Sequence, residues 1–453
     1  MYKKHTFLSF LLILVITNAG LAQTKKLLEF GWDYPDVDFL YENLDKVQDR
    51  PFEGIVFSFN RNIYEIFDSS DYNTNTFNQS KLDRLNWGRF TDNFILTRGY
   101  TSTGVDWFSN KSWDKILDNT EKLSKAINQK NIKGIIFDAE YYLDDPALDP
   151  FKYTPQRYLG KSFTEVYNMV QKRGEQFIKA LEKYKPDVKV LSLWMYTFYF
   201  EHIDKPVINK SEFRWALMLP FIEGMIKGKG LKSSIIDGNE AAYTYLLNYQ
   251  YYEVGNGIRL ATANLSGFTK RNNKYSVASS IYYDYNFGLN NYPTKDWTKE
   301  EQINRFKMTL KESLSGTDEY VWLYSERFDW WRKNEREKMR IIEEVKSSLD
   351  KPENLTFLNW FTLADPKNYT KTYPYKAAYN ARNKKLTLNI DTRNVRSVQV
   401  FKNNTELYKK TGNLTDQFVI DLKKNYDNKG FLNVVVVFTD NGSASNTVFV
   451  GKE

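Results

Sequence analysis

The residues able to do chemistry in this sequence are carboxylates that close apolar runs. GIIFDAEYY sets Asp138 and Glu140 two positions apart, and IIDGNEAAY ends in Asp237 with Glu240 three residues on. YVWLYSERFDWW carries Glu326 and then Trp330 and Trp331, while EFGWD closes on Trp32 and Asp33. A buried run ending in an acid is costly unless that acid is paired or used. The sequence has no cysteine and two histidines, His5 and His202. Thiolate metal sites and multi-histidine zinc sites are therefore excluded, and with His5 inside the expected N-terminal leader a Ser-His-Asp triad has one possible base, His202. Acid–base work falls to aspartate and glutamate, with no cofactor or metal required. What two opposed carboxylates do together is acetal hydrolysis: one protonates the leaving oxygen, the other meets the cationic ring carbon or activates water against it.

The expected catalytic pair is Glu140 as proton donor and Glu326 as the opposing carboxylate. Asp138 beside Glu140 would raise its pKa by like charge, and Glu240 is the reserve for the second role, followed by Asp237. Each acid also has a structural use: Asp138 as a hydrogen-bonded orienter of Glu140, Asp237 as a cap ahead of Gly238, Glu326 as a partner of Arg327. Aromatic residues make up 16% of the chain, which suits stacking on the apolar faces of sugars as well as core building. Trp32, Asp33, Trp194, Tyr196, Trp330 and Trp331 are expected on the walls of a substrate pocket.

Eight short apolar runs are spaced as strands: Leu27–Trp32, Gly54–Phe59, Asn93–Thr97, Gly134–Asp138, Val188–Tyr196, Ser233–Asp237, Val277–Tyr283 and Tyr320–Glu326. Amphipathic stretches lie between them, clearest at Trp113–Gln129, Ser162–Tyr184, Glu212–Lys227, Lys299–Leu314 and Lys333–Leu349. Eight such alternations predict an α/β chain folded as a (β/α)8 TIM barrel over residues 23–350, whose active residues leave from the C-terminal strand ends. No glycine-rich phosphate loop follows the first strand, so nucleotide binding has no support. After Lys351-Pro352 the texture becomes short strands, Asn383–Asp391, Val395–Phe401, Gln417–Leu422 and Asn433–Phe438, between turns rich in Asn, Asp and Gly. This predicts an immunoglobulin-like β-sandwich over residues 351–453.

The runs EFGWDYP, PFEGIVFSF, FTDNF, GIIFDAEYY, LPFIEGM, IIDGNEAAY and YVWLYSERFDWW resemble those of secreted bacterial barrel proteins grouped with glycoside hydrolases, a group without a settled substrate. The resemblance covers most of the barrel and not the C-terminal part, and implies fold and reaction class only. The D-A-E of strand four is also similar to the D-x-E of chitinase-like barrels, whose longer run of spaced aspartates is missing here. At the N-terminus, Lys3 and Lys4 precede the apolar Phe7–Thr17 and the small residues Gly20-Leu21-Ala22. This is the layout of a signal peptide cleaved after Ala22, so a secreted or periplasmic protein without a stable membrane span is expected. The net charge of +8 becomes +6 without Lys3 and Lys4, and its basic residues are scattered. That suits a mixed surface, with attraction to an anionic glycan as the sharper reading, and gives no footprint for nucleic acid. Two other classes fit parts of the pattern. A non-catalytic glycan binder would keep the tryptophans without needing paired acids. A uronate lyase would recruit His202 with Tyr196 or Tyr199, and a calcium-dependent form would use Asp138 and Asp237 as ligands.

Overall fold

The computed structural model describes residues 25–450 apart from 61–63, 199–210, 212, 246–250, 252–254, 256–257, 259–274, 333–335, 350–356, 364–371, 381–383, 391, 394, 403–404, 422–429 and 440–442. Its first part is a ring of parallel strands. They are β1 (Lys26–Gly31), β2 (Gly54–Phe57), β3 (Asn93–Arg98), β4 (Ile132–Asp138), β5 (Lys189–Ser192), β6 (Ser234–Asp237), β7 and β8 (Tyr320–Ser325). β7 is one strand in two pieces, Tyr275–Val277 against β6 and Ser279–Tyr282 against β8. Between the pieces, Ala278 donates its N–H to the carbonyl of Asp237 at 2.7 Å. With β8 paired to β1, the sheet closes as the expected (β/α)8 barrel. β5 stops at Ser192 rather than reaching Tyr196. Beyond it the chain turns, with the Ser192 hydroxyl donating to the Trp194 carbonyl at 2.7 Å, and Tyr196–Phe198 form a 3-10 turn.

Five long helices cover the ring: α1 (Asn110–Ala126), α2 (Phe163–Glu182), α3 (Met218–Gly228), α4 (Lys299–Gly316) and α5 (Arg336–Leu349). Their starts are written in the sequence. Ser162 with Glu165 and Thr298 with Glu301 are S/T-x-x-E boxes, and both form reciprocal caps. α3 begins at Met218, six residues later than its pattern suggests. Periodic burial faces the barrel, as with Trp113, Ile116, Thr120 and Leu123 on α1. The floor of the ring is polar. Tyr320 donates its hydroxyl to Asp92 at 2.8 Å, and Lys189 donates to both Glu319 and Tyr320.

The C-terminal part is antiparallel throughout: β9 (Phe357–Leu363), β10 (Thr372–Asn380), β11 (Lys385–Ile390), β12 (Val395–Lys402), β13 (Thr405–Thr411), β14 (Gln417–Asp421), β15 (Gly430–Phe438) and β16 (Ser443–Val450). Hydrogen bonding runs in the order 13-12-15-16-9-10-11-14. Leu386, Leu388, Phe418 and Ile420 from one end of that order share a core with Val398, Val400, Val434 and Val436 from the other. The ends meet only because the sheet folds over on itself, which makes the expected β-sandwich.

Candidate active site

Strand alternation decides what faces the barrel mouth. On β1 and β8, Phe30 packs on Trp322 and Tyr324 at 5.6 and 5.2 Å between ring centroids, so the even-numbered residues of both strands point inward. The same alternation carries Trp32 and Glu326 into the mouth just past the strand ends. On β4 the inward residues are Ile136 and Asp138, with Glu140 next in phase.

Three acids converge there. Asp138, nearly sealed, accepts the N–H of Glu140 at 3.0 Å on Oδ1, and burial followed by the Glu140 charge lifts its carboxyl up to about 7. Glu140 accepts the Tyr142 hydroxyl at 2.9 Å. Glu240, just beyond β6, is pushed up to about 8 by burial and then by the charges of Asp138 and Glu140. Glu240 therefore holds its proton at neutral pH beside two other carboxyls. The Tyr142 hydroxyl is raised by burial and by all three acids. Glu326 belongs to the next wall, close to Tyr282, and accepts the Asn290 amide at 3.4 Å. Tyr324 joins the two groups, its hydroxyl raised by burial and then by Glu326, Glu240 and Asp138. Tyr243, stacked on Tyr324 at 5.6 Å, and Tyr282 continue the aromatic wall. Trp32 is 61% exposed at the rim, with the Arg327 guanidinium 5.8 Å from its ring centre.

Two further carboxylates hold this geometry from behind. Asp237 is fully buried and accepts four donors. The Thr197 hydroxyl (2.6 Å) and the Asn239 N–H (3.0 Å) reach Oδ1; the Thr197 N–H and the Tyr275 hydroxyl reach Oδ2, both at 3.1 Å. That corrects its expected catalytic and calcium-ligand roles, because its acceptor positions are filled from the protein. Its work is to shape the turn that delivers Glu240. A side chain at Gly238 would lie 2.5 Å from the Ser192 carbonyl, Asn239 is left-handed at φ 50°, and Glu240 donates its N–H to Leu193. Asp284 does the same for Glu326, accepting the Ser325 hydroxyl at 2.7 Å and the N–H groups of Glu326 and Arg327 at 3.0 Å each. Asp237→Ala is expected to lower unfolding free energy by about 3 kcal/mol or more, since four donors lose one buried acceptor. Denaturant unfolding checks it; an unchanged midpoint would contradict the clasp.

Several expected wall residues lie elsewhere. Trp194 and Tyr196 are buried, Trp194 against Trp215 at 4.4 Å and Tyr196 against Tyr275, because the chain turns inward after β5. Trp330 packs on Phe52, Tyr283 and Phe328, and Trp331 lies against Phe90, both in the core. Asp33 sits in the opposite phase to Trp32, on the outer side of β1, where it accepts the Trp330 N–H at 2.7 Å. His202 and Tyr199 lie outside the described residues. Among the described residues, no group of three or more His, Asp or Glu side chains is arranged to hold a metal ion.

Sequence reasoning missed Glu29, the one acid inside the apolar β1. It is fully buried behind the strand beside Asp33; burial and then the Asp33 charge raise it well above the ordinary carboxylate range. Burial also lifts Asp33, up to about 7, against the lowering effect of the Trp330 N–H. The folded chain thus keeps protons that the unfolded chain releases near pH 4, so stability falls as pH rises from about 4 to 7. Glu29→Gln is expected to flatten that fall and to raise stability at pH 8. Chemical unfolding at pH 5 and pH 8 checks it, and a variant less stable at pH 8 would contradict it.

No family model matches this chain, and no curated protein does. Solved structures are similar in fold only. A trimodular GH5_4 subfamily endoglucanase is 9% identical, with 95% of this chain and 78% of that one covered at a TM-score of 0.39. A GH36 alpha-galactosidase from Geobacillus stearothermophilus is 8% identical, with 94% and 56% covered at 0.38. A Cellulomonas fimi endo-beta-1,4-mannanase is 8% identical, with 94% of each chain covered at 0.33. At these values the reading of function rests on the chemistry of the site.

Proposed function

We propose that the chain is a secreted glycoside hydrolase acting on a polysaccharide or oligosaccharide with two carboxyl groups. The observation that carries this reading is the convergence of Asp138, Glu140 and Glu240 at the C-terminal mouth of the barrel, walled by tyrosines and rimmed by the exposed Trp32. Glu240 holds a proton at neutral pH and is the general acid. Glu140, fixed by the Tyr142 hydroxyl, is the carboxylate that meets the positive ring carbon or activates water. This reverses the part first expected of Glu140, because the charges of Asp138 and Glu140 fall on Glu240. Glu326 serves at a neighbouring position in the cleft, with Trp32 as a stacking platform for a sugar face. The leader, residues 1–22, would deliver residues 23–453 across the inner membrane, with the sandwich as a buttress.

A uronate lyase is the second reading, favoured by Arg98 beside Tyr34 and Tyr100 near the acids. Burial lifts the Tyr100 hydroxyl up to about 12, which makes it a poor base at neutral pH. Incubation with a panel of neutral and uronate polysaccharides tests both. New reducing ends without ultraviolet absorbance support hydrolysis, and unsaturated, absorbing products support the lyase. A panel left intact contradicts both.

A further inference from the structure

Among the described residues, Arg98 is a cation of this acid-lined mouth that stands outside the hydrolytic pair and makes no ion pair. It ends β3, in register with Asp138 on β4, and shares the inward phase of Phe94, which packs on Tyr320 inside the barrel. Its guanidinium lies 5.8 Å from the centre of the Tyr100 ring, and its charge acts on Asp138, Tyr34 and Tyr100. Yet its Nε is fully buried without a hydrogen-bond partner. Fifteen ion pairs are resolved among the described residues, and none includes Arg98. The chain's buried arginines, unlike the half-buried Arg98, all donate from the guanidinium to the protein: Arg50 to the Trp330 carbonyl at 2.7 Å, Arg173 to Trp107, Gln176 and Asn110, and Arg305 to the Tyr245 carbonyl.

Burying a guanidinium donor without an acceptor is unfavourable by an amount the fold does not recover locally. The fork of an arginine matches a planar carboxylate with two parallel hydrogen bonds, a match that a hydroxyl cannot reproduce. We propose that Arg98 is the recognition residue for an anionic sugar, a uronic acid, held one position from the cleaved bond in the same cleft. Tyr34 and Tyr100 flank the carboxylate, and Trp32 takes a neighbouring ring across the mouth. This deepens the hydrolase reading and rests on its site. The same fork also accepts a sulfate ester, so the test separates the two anions.

The test is calorimetric titration of the full chain with galacturonate, mannuronate and guluronate oligosaccharides, with the same oligosaccharides after carboxyl reduction, and with sulfated galactan oligosaccharides. Hydrolysis of each is followed in parallel. At least one uronate oligomer is expected to bind roughly 10–100-fold more tightly than its carboxyl-reduced form, the span of a lost charged double hydrogen bond. Arg98→Gln is expected to erase that difference while leaving the reduced ligands bound as before, and Arg98→Lys to restore only part of it. A preference for the sulfated ligand over every uronate would assign the anion to sulfate and overturn the uronate. Equal binding of charged and reduced ligands would overturn the proposal even with hydrolysis intact. So would an Arg98→Gln variant that weakens both ligands alike, since Arg98 would then act only as a charge partner of Asp138. Charge-dependent binding without any hydrolysis would keep the recognition role and sink the hydrolase reading. Because the ligand pair alone tests the charge, the experiment stands even where a variant folds poorly.

Discussion

Glutamine in place of Glu240 is expected to lower kcat by roughly 10²–10⁴-fold, the contribution of a positioned general acid. Glu240 is partly buried, and the turn from Asp237 to Glu240 is held by four hydrogen bonds to Asp237 and by a glycine that admits no side chain. Its carboxyl, lifted up to about 8, is protonated at neutral pH. A group that must donate a proton works below its pKa and fails above it. The wild-type rate should therefore hold through neutrality and fall as pH rises past about 8, and the variant should lack that limb. Leaving groups that need no proton, such as a nitrophenolate, should be spared most of the loss. A pH–rate series with a natural substrate and an activated aryl glycoside checks all three expectations. A Glu240→Gln enzyme within a few-fold of wild type would return the acid role to Glu140 or Asp138.

The second large effect is expected at Glu140. Glu140→Gln should reduce turnover by roughly 10³-fold or more, because members of a catalytic pair act as a unit. Activated leaving groups should not rescue it, since what is lost is the carboxylate facing the ring carbon. The variant has a second signature. With the Glu140 charge gone, one of the two charges that raise Glu240 disappears, so any residual activity should lose its alkaline limb at a lower pH than wild type. Single-turnover kinetics with the aryl glycoside would show the first feature, and a pH 5–9 series with a natural substrate the second. A normal rate, with Glu326→Gln inactive in its place, would give the second carboxylate's role to Glu326 beyond β8, opposite Glu240 beyond β6.

Much of this was legible in the sequence, for reasons that can be named. Each barrel strand is a short apolar run bounded by turns, and the two capping boxes fixed where α2 and α4 begin. The acids were found because a buried run that closes on a carboxylate is anomalous. Phase was harder to read. Trp32 and Asp33 are adjacent and cannot both face the mouth, and only the packing of Phe30 on Trp322 and Tyr324 decides between them. Trp194, Tyr196, Trp330 and Trp331 lie past strand ends, where the chain direction depends on clasps made by Asp237 and Asp33, distant in sequence. In the sandwich, β10 carries Pro374 and β13 and β16 are polar, so their alternation is too weak to stand out from turns. Glu29 left one signal, a lone acid inside an apolar strand, and its neighbour Asp33 was read as part of the mouth.

Breaking a glycosidic bond is the central work assigned to this cluster of acids. The most direct measurement is reducing-end release from one responsive glycan by wild type and by a Glu140→Gln, Glu240→Gln double variant, prepared together and matched in thermal unfolding. Release by wild type, with the double variant slower by roughly 10³-fold or more but no slower than the weaker single variant by more than a few-fold, is the predicted result. Release by the double variant at a rate near wild type would contradict the account, because the bond would then be broken by residues other than the two carboxyl groups assigned to it.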